Sequence, residues 1–267
     1  MRRNLRLTLT FTLLAAVLAA CATSPLGRRQ LVLVSNAEVS EAGIASYRQM
    51  QKKIPRATNA QQVRYVNCIS NALVAQVPNL KAVGKLRVPA DWEVTVFDSK
   101  DVNAFALPGG KIGVYTGLIQ VANSQDQLAA VIGHEVTHVL AGHSAERYSE
   151  QVASQVGGAV LQASTGVNGE LIGMAANAFF LLPFSRTHET EADLLGLDLM
   201  ASAGFDPRQA ITLWQNMARA SGGQKPPEFM SSHPSDETRI RNLSERLAVA
   251  MPLYEQARAE GREPHCK

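Results

Sequence analysis

The stretch from Ser124 to Gly142 constrains the fold of this chain most. Ser124 and Gln127 have the Ser-x-x-Gln spacing of a helix-capping box, and the apolar residues that follow recur at helical spacing as far as Val139. Gly142 stands where a helix commonly ends in a left-handed residue. These signals predict a helix over residues 125–141, with its apolar face buried in the core.

Potential metal ligands lie within this helix. His134-Glu135-Val136-Thr137-His138 has the pattern His-Glu-x-x-His. At i and i+4 the two imidazoles stand one above the other, close enough to bind a single Zn²⁺. Glu135 is rotated about 100° from His134, so it can act as a general base beside the metal without being a ligand. The alternative is a helix that carries two surface histidines and a glutamate.

A catalytic zinc needs a third protein ligand and one open position. His143 is about 140° around a continuous helix from His138, so we expect it on the side of the helix away from the metal, near the helix end. Glu189 and Asp193 share one face of a later helix, so one can ligate zinc while the other accepts the free N–H of a ligand histidine. Glu191, about 200° from Glu189, is expected to point away as a solvated acid.

The first 20 residues have the character of a leader. They hold Arg2, Arg3 and Arg6, no acid, and an apolar run, which predicts a signal peptide over residues 1–20. Removing three of the 26 Lys and Arg leaves 23 against 23 Asp and Glu, so the charge balance indicates no nucleic-acid partner. With 267 residues and 46% hydrophobic content, the chain can bury a sizeable core, which excludes a disordered protein or a small disulfide-stapled scaffold.

The end of the leader, Leu18-Ala19-Ala20-Cys21, resembles the bacterial lipobox. The resemblance implies that Cys21 is acylated and becomes the new N-terminus, which anchors the protein to a membrane. Because Ala22 rather than Asp follows, it favours the periplasmic face of a Gram-negative outer membrane. The alternative is an ordinary signal peptide followed by a chance cysteine.

Three further features organise the rest of the chain. Residues 21–30, which lack apolar periodicity, are expected to be a lipidated tether. In an oxidising compartment, Cys68 and Cys266 are expected to form a disulfide that ties the C-terminal tail to the body, the alternative being two separate thiols. The 14 uncharged residues 171–184 are too few for a membrane span, and form either a buried helix or an apolar surface facing lipid or unfolded substrate.

The remaining pattern predicts a mainly helical α+β fold with a small sheet. Alternation from Trp92 to Phe97 indicates one strand, and residues 102–107 and 111–115 indicate two more around a Pro-Gly-Gly turn. Further helices are expected over these stretches: 39–77 with a break at Pro55, 187–202, from Pro207 onward, and 236–259 with a kink or restart at Pro252. A loop is expected at residues 231–235.

The His-Glu-x-x-His motif, followed by Glu189-x-x-Ala192-Asp193, resembles the gluzincin metallopeptidases of peptidase family M48, which include the CAAX prenyl protease, HtpX-type and Oma-type proteases. The chain looks most like their periplasmic lipoprotein branch, which contains LoiP, YcaL and BepA. The resemblance spans about residues 94–240. It implies a zincin-like metallopeptidase domain over 31–267 whose edge strand lies by the active-site helix.

The family also implies the roles of individual residues. One Zn²⁺ per chain would be held by His134, His138 and Glu189, with Glu135 as the general base. Asp193 would support a ligand histidine.

Two other stretches match the family's layout. Asn103-Ala104-Phe105 resembles the edge strand that binds an extended polypeptide through backbone hydrogen bonds, the alternative being a plain structural hairpin. His233 lies in a Ser-His-Pro element of the kind found in periplasmic relatives. It could stabilise the oxyanion, occupy the open position of the zinc and hold the enzyme latent, or have no catalytic part.

We therefore expect a zinc-dependent endopeptidase of the cell envelope that cleaves misfolded or misassembled envelope proteins, with polypeptides and a membrane, but no nucleic acid, as partners. One alternative is a periplasmic chaperone or assembly factor for outer-membrane proteins, with a zinc-organised substrate groove. Another is a structural zinc lipoprotein, whose closed four-ligand site would make His233 essential for metal retention.

Overall fold

The computed structural model describes residues 21–82, 84–151, 153, 184–220, 228–233 and 237–267. The predicted signal peptide 1–20 and all but the last residue of the apolar run 171–184 lie outside these residues. The strands are β1 (Cys21–Thr23), β2 (Arg29–Leu31), β3 (Glu93–Phe97), β4 (Ala104–Leu107) and β5 (Lys111–Tyr115). The helices are α1 (Asn36–Lys53), α2 (Ala60–Val74), α3 (Thr116–Val121), α4 (Gln125–Ala141), α5 (Arg186–Ser202), α6 (Arg208–Ala220), α7 (Glu228–Ser232) and α8 (Glu237–Ala259).

This architecture confirms the predicted α+β class, mainly helical with a small sheet. Within the described ranges, no helix combines the length and the apolar character that crossing a membrane requires.

Helix α4 begins and ends at the residues that the sequence predicts. The Ser124 side chain accepts a hydrogen bond from the backbone N–H of Gln127, while the Gln127 side chain accepts from the N–H of Asn123, one residue before the cap. At the other end, Gly142 adopts φ +71°, the left-handed conformation that glycine takes without steric cost. A second helical segment, residues 143–151, starts directly after it.

Two late elements bear on the prediction. Helix α8 spans Pro252 as one element, so it does not restart there, and the kink stays a prediction. Residues 228–232 form helix α7 where we expected the start of a loop, and His233 N–H continues its hydrogen-bond pattern by donating to Phe229 O at 2.9 Å.

The three-stranded sheet has the order β3-β5-β4. Strand β5 is parallel to β3 and antiparallel to β4, which pairs with it through a tight turn at Gly109 and Gly110, both at positive φ. In this register Tyr115 N–H donates to Asn103 O. Backbone groups of an antiparallel strand face its partner at every second residue, so the next residue of β4 whose backbone groups face β5 is Phe105. Strand β4 therefore directs its alternate backbone groups away from β5, toward α4.

Helices α4 and α5 cross at a pair of glycines. A Cβ atom on Gly196 would lie 2.9 Å from the backbone nitrogen of His134, and one on Gly133 would lie 3.2 Å from the carbonyl oxygen of Gly196. These distances leave no room for larger side chains. The crossing therefore brings the motif helix close to the helix that carries Glu189.

The C-terminal tail packs against the start of α4. Cys68, in α2, and Cys266 are joined by a disulfide with a Cα–Cα distance of 5.6 Å. The side chain of Gln125 donates to Pro264 O at 2.7 Å and accepts from Cys266 N–H at 2.9 Å. The tail is thus held both covalently and through hydrogen bonds.

Candidate metal centre

Four side chains from three parts of the chain converge at one buried point. Helix α4 supplies His134 and His138, α5 supplies Glu189, and His233 follows α7. Each is between 1 and 4% exposed. His134 Nε2 lies 3.0 Å from His138 Nε2 and 3.2 Å from His233 Nδ1, and Glu189 Oε1 lies 2.8 Å from His233 Nδ1 and 3.4 Å from His138 Nε2.

The spacing of these atoms fits a tetrahedral zinc ion. Four N and O atoms at normal zinc bond lengths lie about 3.3–3.6 Å apart around a common centre. Burial lowers the pKa of His134 and of His138 well below its ordinary value, which favours the neutral imidazole that binds metal. Three imidazoles and a carboxylate also form a donor set that zinc accepts. The residues present therefore fit the ion implied by the resemblance.

Asp193 supports the first ligand histidine. Its Oδ1 lies 2.9 Å from His134 Nδ1, so the carboxylate accepts the Nδ1–H proton and leaves Nε2 free for a metal. Arg239, 5% exposed, donates to Asp193 at 2.6 Å, approaches Glu189 Oε2 at 3.1 Å, and stacks over the ring of Trp214 at 3.5 Å. Arg239 was not predicted, because no motif spacing ties it to the ligands.

Glu135 lies beside the ligand cluster. Its Oε1 is 3.3 Å from His233 Nε2, and its Oε2 accepts the backbone N–H of Ala106, in β4, at 3.3 Å. Burial raises its pKa to about 7. This carboxylate is thus placed between the ligand cluster and the edge of the sheet.

His143 and Glu191 make contacts that the sequence did not predict. Both are buried, with His143 Nδ1 2.9 Å from His138 Nδ1 and His143 Nε2 3.2 Å from Glu191 Oε2. The rotation expected for a continuous helix does not apply, because Gly142 ends α4 and the chain turns before His143. Burial lowers the pKa of His143 to about 4. The expectation of a solvated acid at Glu191 is therefore wrong. His143 follows the end of α4 and lies outside the ligand cluster, as expected, but it is buried against His138.

The predicted tether is also different. Residues 21–31 form the β1–β2 hairpin, and Arg28 at its centre contacts two buried carboxylates, Glu146 at 2.6 Å and Glu191 at 2.8 Å. The hydroxyl of Ser24 donates to Glu191 as well. Apolar periodicity could not reveal this segment, because polar contacts rather than an apolar face hold it.

The hairpin contacts give a pH-dependent prediction. Burial would raise the pKa of Glu146 and Glu191, but hydrogen bonds from Arg28 to Glu146 and from His143 to Glu191 outweigh it, and each pKa falls from 4.5 to about 2. A lowered folded-state pKa gives stability that is complete above pH 4.5 and is lost as the pH falls toward 2. We expect Arg28→Met to lower the free energy of unfolding by about 2 kcal/mol at pH 7, reduced from the value for a fully buried pair because Arg28 is 27% exposed.

Urea unfolding of the metal-free wild-type and Arg28→Met proteins between pH 7 and pH 3 measures this effect. The difference between the two should shrink below pH 4.5. The matched control is Arg48→Met, because Arg48 pairs with Glu93 on the surface and should contribute little. Equal stability of wild type and Arg28→Met at pH 7 would contradict the prediction.

In the predicted substrate strand, the Phe105 side chain and the backbone groups lie in different surroundings. Phe105 packs into a buried aromatic cluster with Tyr47 and Phe97, so its side chain belongs to the core. The backbone N–H of Ala104 donates to the side-chain oxygen of Asn103 at 2.9 Å. The outward N–H groups of β4 at Ala104 and Ala106 are thus bonded to Asn103 and Glu135 of the same molecule, and a ligand that pairs with this strand has to displace both acceptors.

Comparison with known proteins places this site in context. The model of the family described as Peptidase family M48 matches residues 64–247. The mitochondrial metalloendopeptidase OMA1 of Schizosaccharomyces pombe is 44% identical over 160 residues, which cover 60% of this chain and 48% of that protein. OMA1 of Saccharomyces cerevisiae is 32% identical over 218 residues, which cover 79% of this chain and 63% of that protein. The β-barrel assembly-enhancing protease of Escherichia coli is 25% identical over 221 residues, which cover 79% of this chain and 44% of that protein.

The chain spans less than two thirds of the length of these relatives. The predicted location at a Gram-negative outer membrane is wrong by this comparison, since the relatives at 44 and 32% identity are mitochondrial and the bacterial relative is at 25%. An arginine-rich leader without acids is shared by export signals and mitochondrial targeting segments, so it could not separate them. Acylation of Cys21, the first residue of β1, stays a prediction.

Proposed function

Because the chain belongs to peptidase family M48, we propose that it is a zinc-dependent endopeptidase that cleaves extended polypeptide segments. The family match confirms the resemblance and the metallopeptidase class expected from the sequence. The observation that supports the proposal most is the convergence of His134, His138 and Glu189 in one buried cluster, with Glu135 next to it and outside it.

The proposed roles follow from these positions. Zn²⁺, held by His134, His138 and Glu189, would supply a Lewis acid that activates water and polarises the scissile carbonyl. Glu135 accepts the proton of the attacking water at Oε1, which faces the cluster, and returns it to the leaving amine. Asp193 fixes the tautomer of His134, so that its Nε2 faces the cluster.

The substrate would pair with the edge strand β4. Its outward backbone groups at Ala104 and Ala106 lie on the side of α4 and of Glu135, so an extended peptide added there would run past the metal ligands. Backbone pairing of this kind gives affinity with little demand on side-chain sequence. Unfolded segments, whose backbone groups are free, are therefore the proposed substrate class.

A narrower proposal concerns which proteins are cleaved. Misfolded or misassembled proteins, the class expected from the sequence, are supported by the name of the Escherichia coli relative, which refers to β-barrel assembly. The envelope as the site of action is not part of the proposal, because the relatives of higher identity are mitochondrial.

His233 gives this site a fourth donor. Its Nδ1 lies within hydrogen-bonding distance of both His134 and Glu189, so His233 could serve as a fourth ligand where a catalytic zinc keeps one position open. We propose that this arrangement is latent and that His233 must withdraw before water can enter. The same four donors are what a closed structural zinc site would show, so the two functions need to be separated by experiment.

The variant His233→Ala separates them. If His233 holds the enzyme latent, we expect a higher rate of peptide hydrolysis with about one zinc still bound per chain, because three protein ligands suffice for a catalytic site. Fluorogenic-peptide hydrolysis and zinc content after gel filtration measure the two quantities. Loss of the metal together with absence of hydrolysis by the wild type would instead support the structural zinc site.

The proposed function is tested on the full chain with an unfolded protein as substrate. Mass spectrometry should detect internal fragments, which disappear with a chelator and return when zinc is added back. The endopeptidase proposal would be contradicted if the wild type and the His233→Ala variant both bound zinc and neither released fragments from this substrate.

A further inference from the structure

The two histidines of the motif helix are supported in different ways on the side away from the cluster. His134 presents Nε2 to the cluster and Nδ1 directly to the carboxylate of Asp193. His138 also presents Nε2 to the cluster, but its Nδ1 lies 2.9 Å from a nitrogen, Nδ1 of His143. The outer side of His138 thus meets another imidazole instead of an acid.

Only one arrangement of protons makes this contact a hydrogen bond when His138 binds a metal through Nε2. The Nδ1 atom of His138 must then carry its proton and donate it, so Nδ1 of His143 must be the unprotonated acceptor. Neutral His143 consequently carries its proton on Nε2. That atom lies 3.2 Å from Glu191 Oε2, where the proton has an acceptor.

The far end of this chain of contacts is fixed as well. Glu191 receives hydrogen bonds from the hydroxyl of Ser24 and from the guanidinium of Arg28, both in the N-terminal hairpin. These donors fix the position of the carboxylate, whose oxygens accept each of these hydrogen bonds. His143 is fully buried, so water does not compete for either of its nitrogens.

We propose that His143 is a positioning residue that relays the carboxylate of Glu191 to the metal ligand His138. The relay fixes the tautomer and ring orientation of His138, as Asp193 does for His134 by direct contact. This inference rests on the metal centre of the proposed function. It also gives the N-terminal hairpin a part in metal binding, since Ser24 and Arg28 hold the acid at the end of the relay.

A matched pair of variants tests the relay. Leucine and asparagine have nearly the same shape, but the amide oxygen of asparagine stands where Nδ1 of histidine does and can accept from His138. We expect His143→Leu to raise the dissociation constant for zinc by about 10–100-fold, and His143→Asn to stay close to wild type. Competition with a chromophoric chelator measures the constant, and thermal unfolding of the metal-free proteins reports the loss of packing separately.

His188→Leu is the control for packing. His188 is buried, stacks on His143 at 4.5 Å, and contacts the carboxylate of Glu146 at 3.0 Å rather than a metal ligand. The His188→Leu variant should have a lower unfolding temperature in the metal-free state, while its affinity for zinc should equal that of the wild type. Equal zinc affinity in wild type, His143→Leu and His143→Asn would overturn the relay, as would equal weakening by His188→Leu and His143→Leu.

A spectroscopic measurement tests the tautomer directly. Long-range ¹H–¹⁵N correlation spectra of the zinc-loaded protein, labelled at its six histidines and assigned with His143→Asn, should show His143 neutral with its proton on Nε2. A proton on Nδ1 would overturn the relay while leaving the metal centre intact. If the wild type binds no zinc at all, the proposed function fails together with the relay, so the two failures are distinguishable.

Discussion

Replacement of Glu135 by glutamine should lower kcat/KM for peptide hydrolysis by at least about 10²–10⁴-fold, the usual contribution of a positioned general base. Glutamine keeps the shape of the side chain but cannot accept a proton at Oε1. Since Glu135 lies outside the ligand cluster, the Glu135→Gln variant should bind zinc as the wild type does. Steady-state kinetics with a fluorogenic peptide, together with zinc content, measure both effects.

Glu150→Gln is a suitable control for this variant. Glu150 is an exposed acid in the helical segment that follows Gly142, so its neutralisation should leave hydrolysis unchanged. A Glu135→Gln protein that keeps a tenth or more of the wild-type kcat/KM would remove Glu135 as the general base. Loss of zinc from that variant would show instead that the carboxylate takes part in holding the metal.

The double variant Cys68→Ser, Cys266→Ser should lower the free energy of unfolding by about 3–5 kcal/mol, because the crosslink restricts the unfolded chain over a sequence separation of 198 residues. The tail keeps its hydrogen bonds to Gln125, so we expect the variant to fold and α4 to retain its start. Urea unfolding of the oxidised wild type and the double variant measures the difference.

Two comparisons isolate the disulfide in that experiment. A reductant should destabilise the wild type toward the double variant and should not affect the double variant. Cys21→Ser, which removes the third cysteine, should unfold like the wild type. A difference below about 1 kcal/mol between the oxidised wild type and the double variant would mean that the tail contacts alone hold this end of the chain.

Local rules in the sequence predicted the core of the site well. The cap at Ser124 and the glycine at 142 define α4, and spacing identified His134 and His138 in α4 and the pair Glu189 and Asp193 in α5. The family resemblance then implied that Glu189 is the ligand, and the structure brings Glu189 together with both histidines. These residues were predictable because helical geometry converts their spacing into a shared face. The hairpin of β4 and β5 followed in the same way from alternation and turn residues.

The residues around the ligands were harder to predict, for physical reasons. The contact of His143 with His138 was not predicted because helical rotation was extended past Gly142, where the chain leaves the helix. Arg239 contacts two acids of α5 across a long sequence separation, and no local rule links the two. Arg28 lies in a short polar hairpin that is held by buried charges, a kind of contact that hydrophobic patterning does not register.

The edge of the small sheet has a consequence for the behaviour of the protein in solution. A strand with free outward amides is a template on which further copies of the same chain can add and aggregate. In β4 these amides already donate hydrogen bonds within the molecule, Ala104 N–H to the side chain of Asn103 and Ala106 N–H to the side chain of Glu135. These two internal hydrogen bonds therefore keep the strand from pairing with further copies of the chain, and a peptide that binds β4 as proposed has to displace both acceptors.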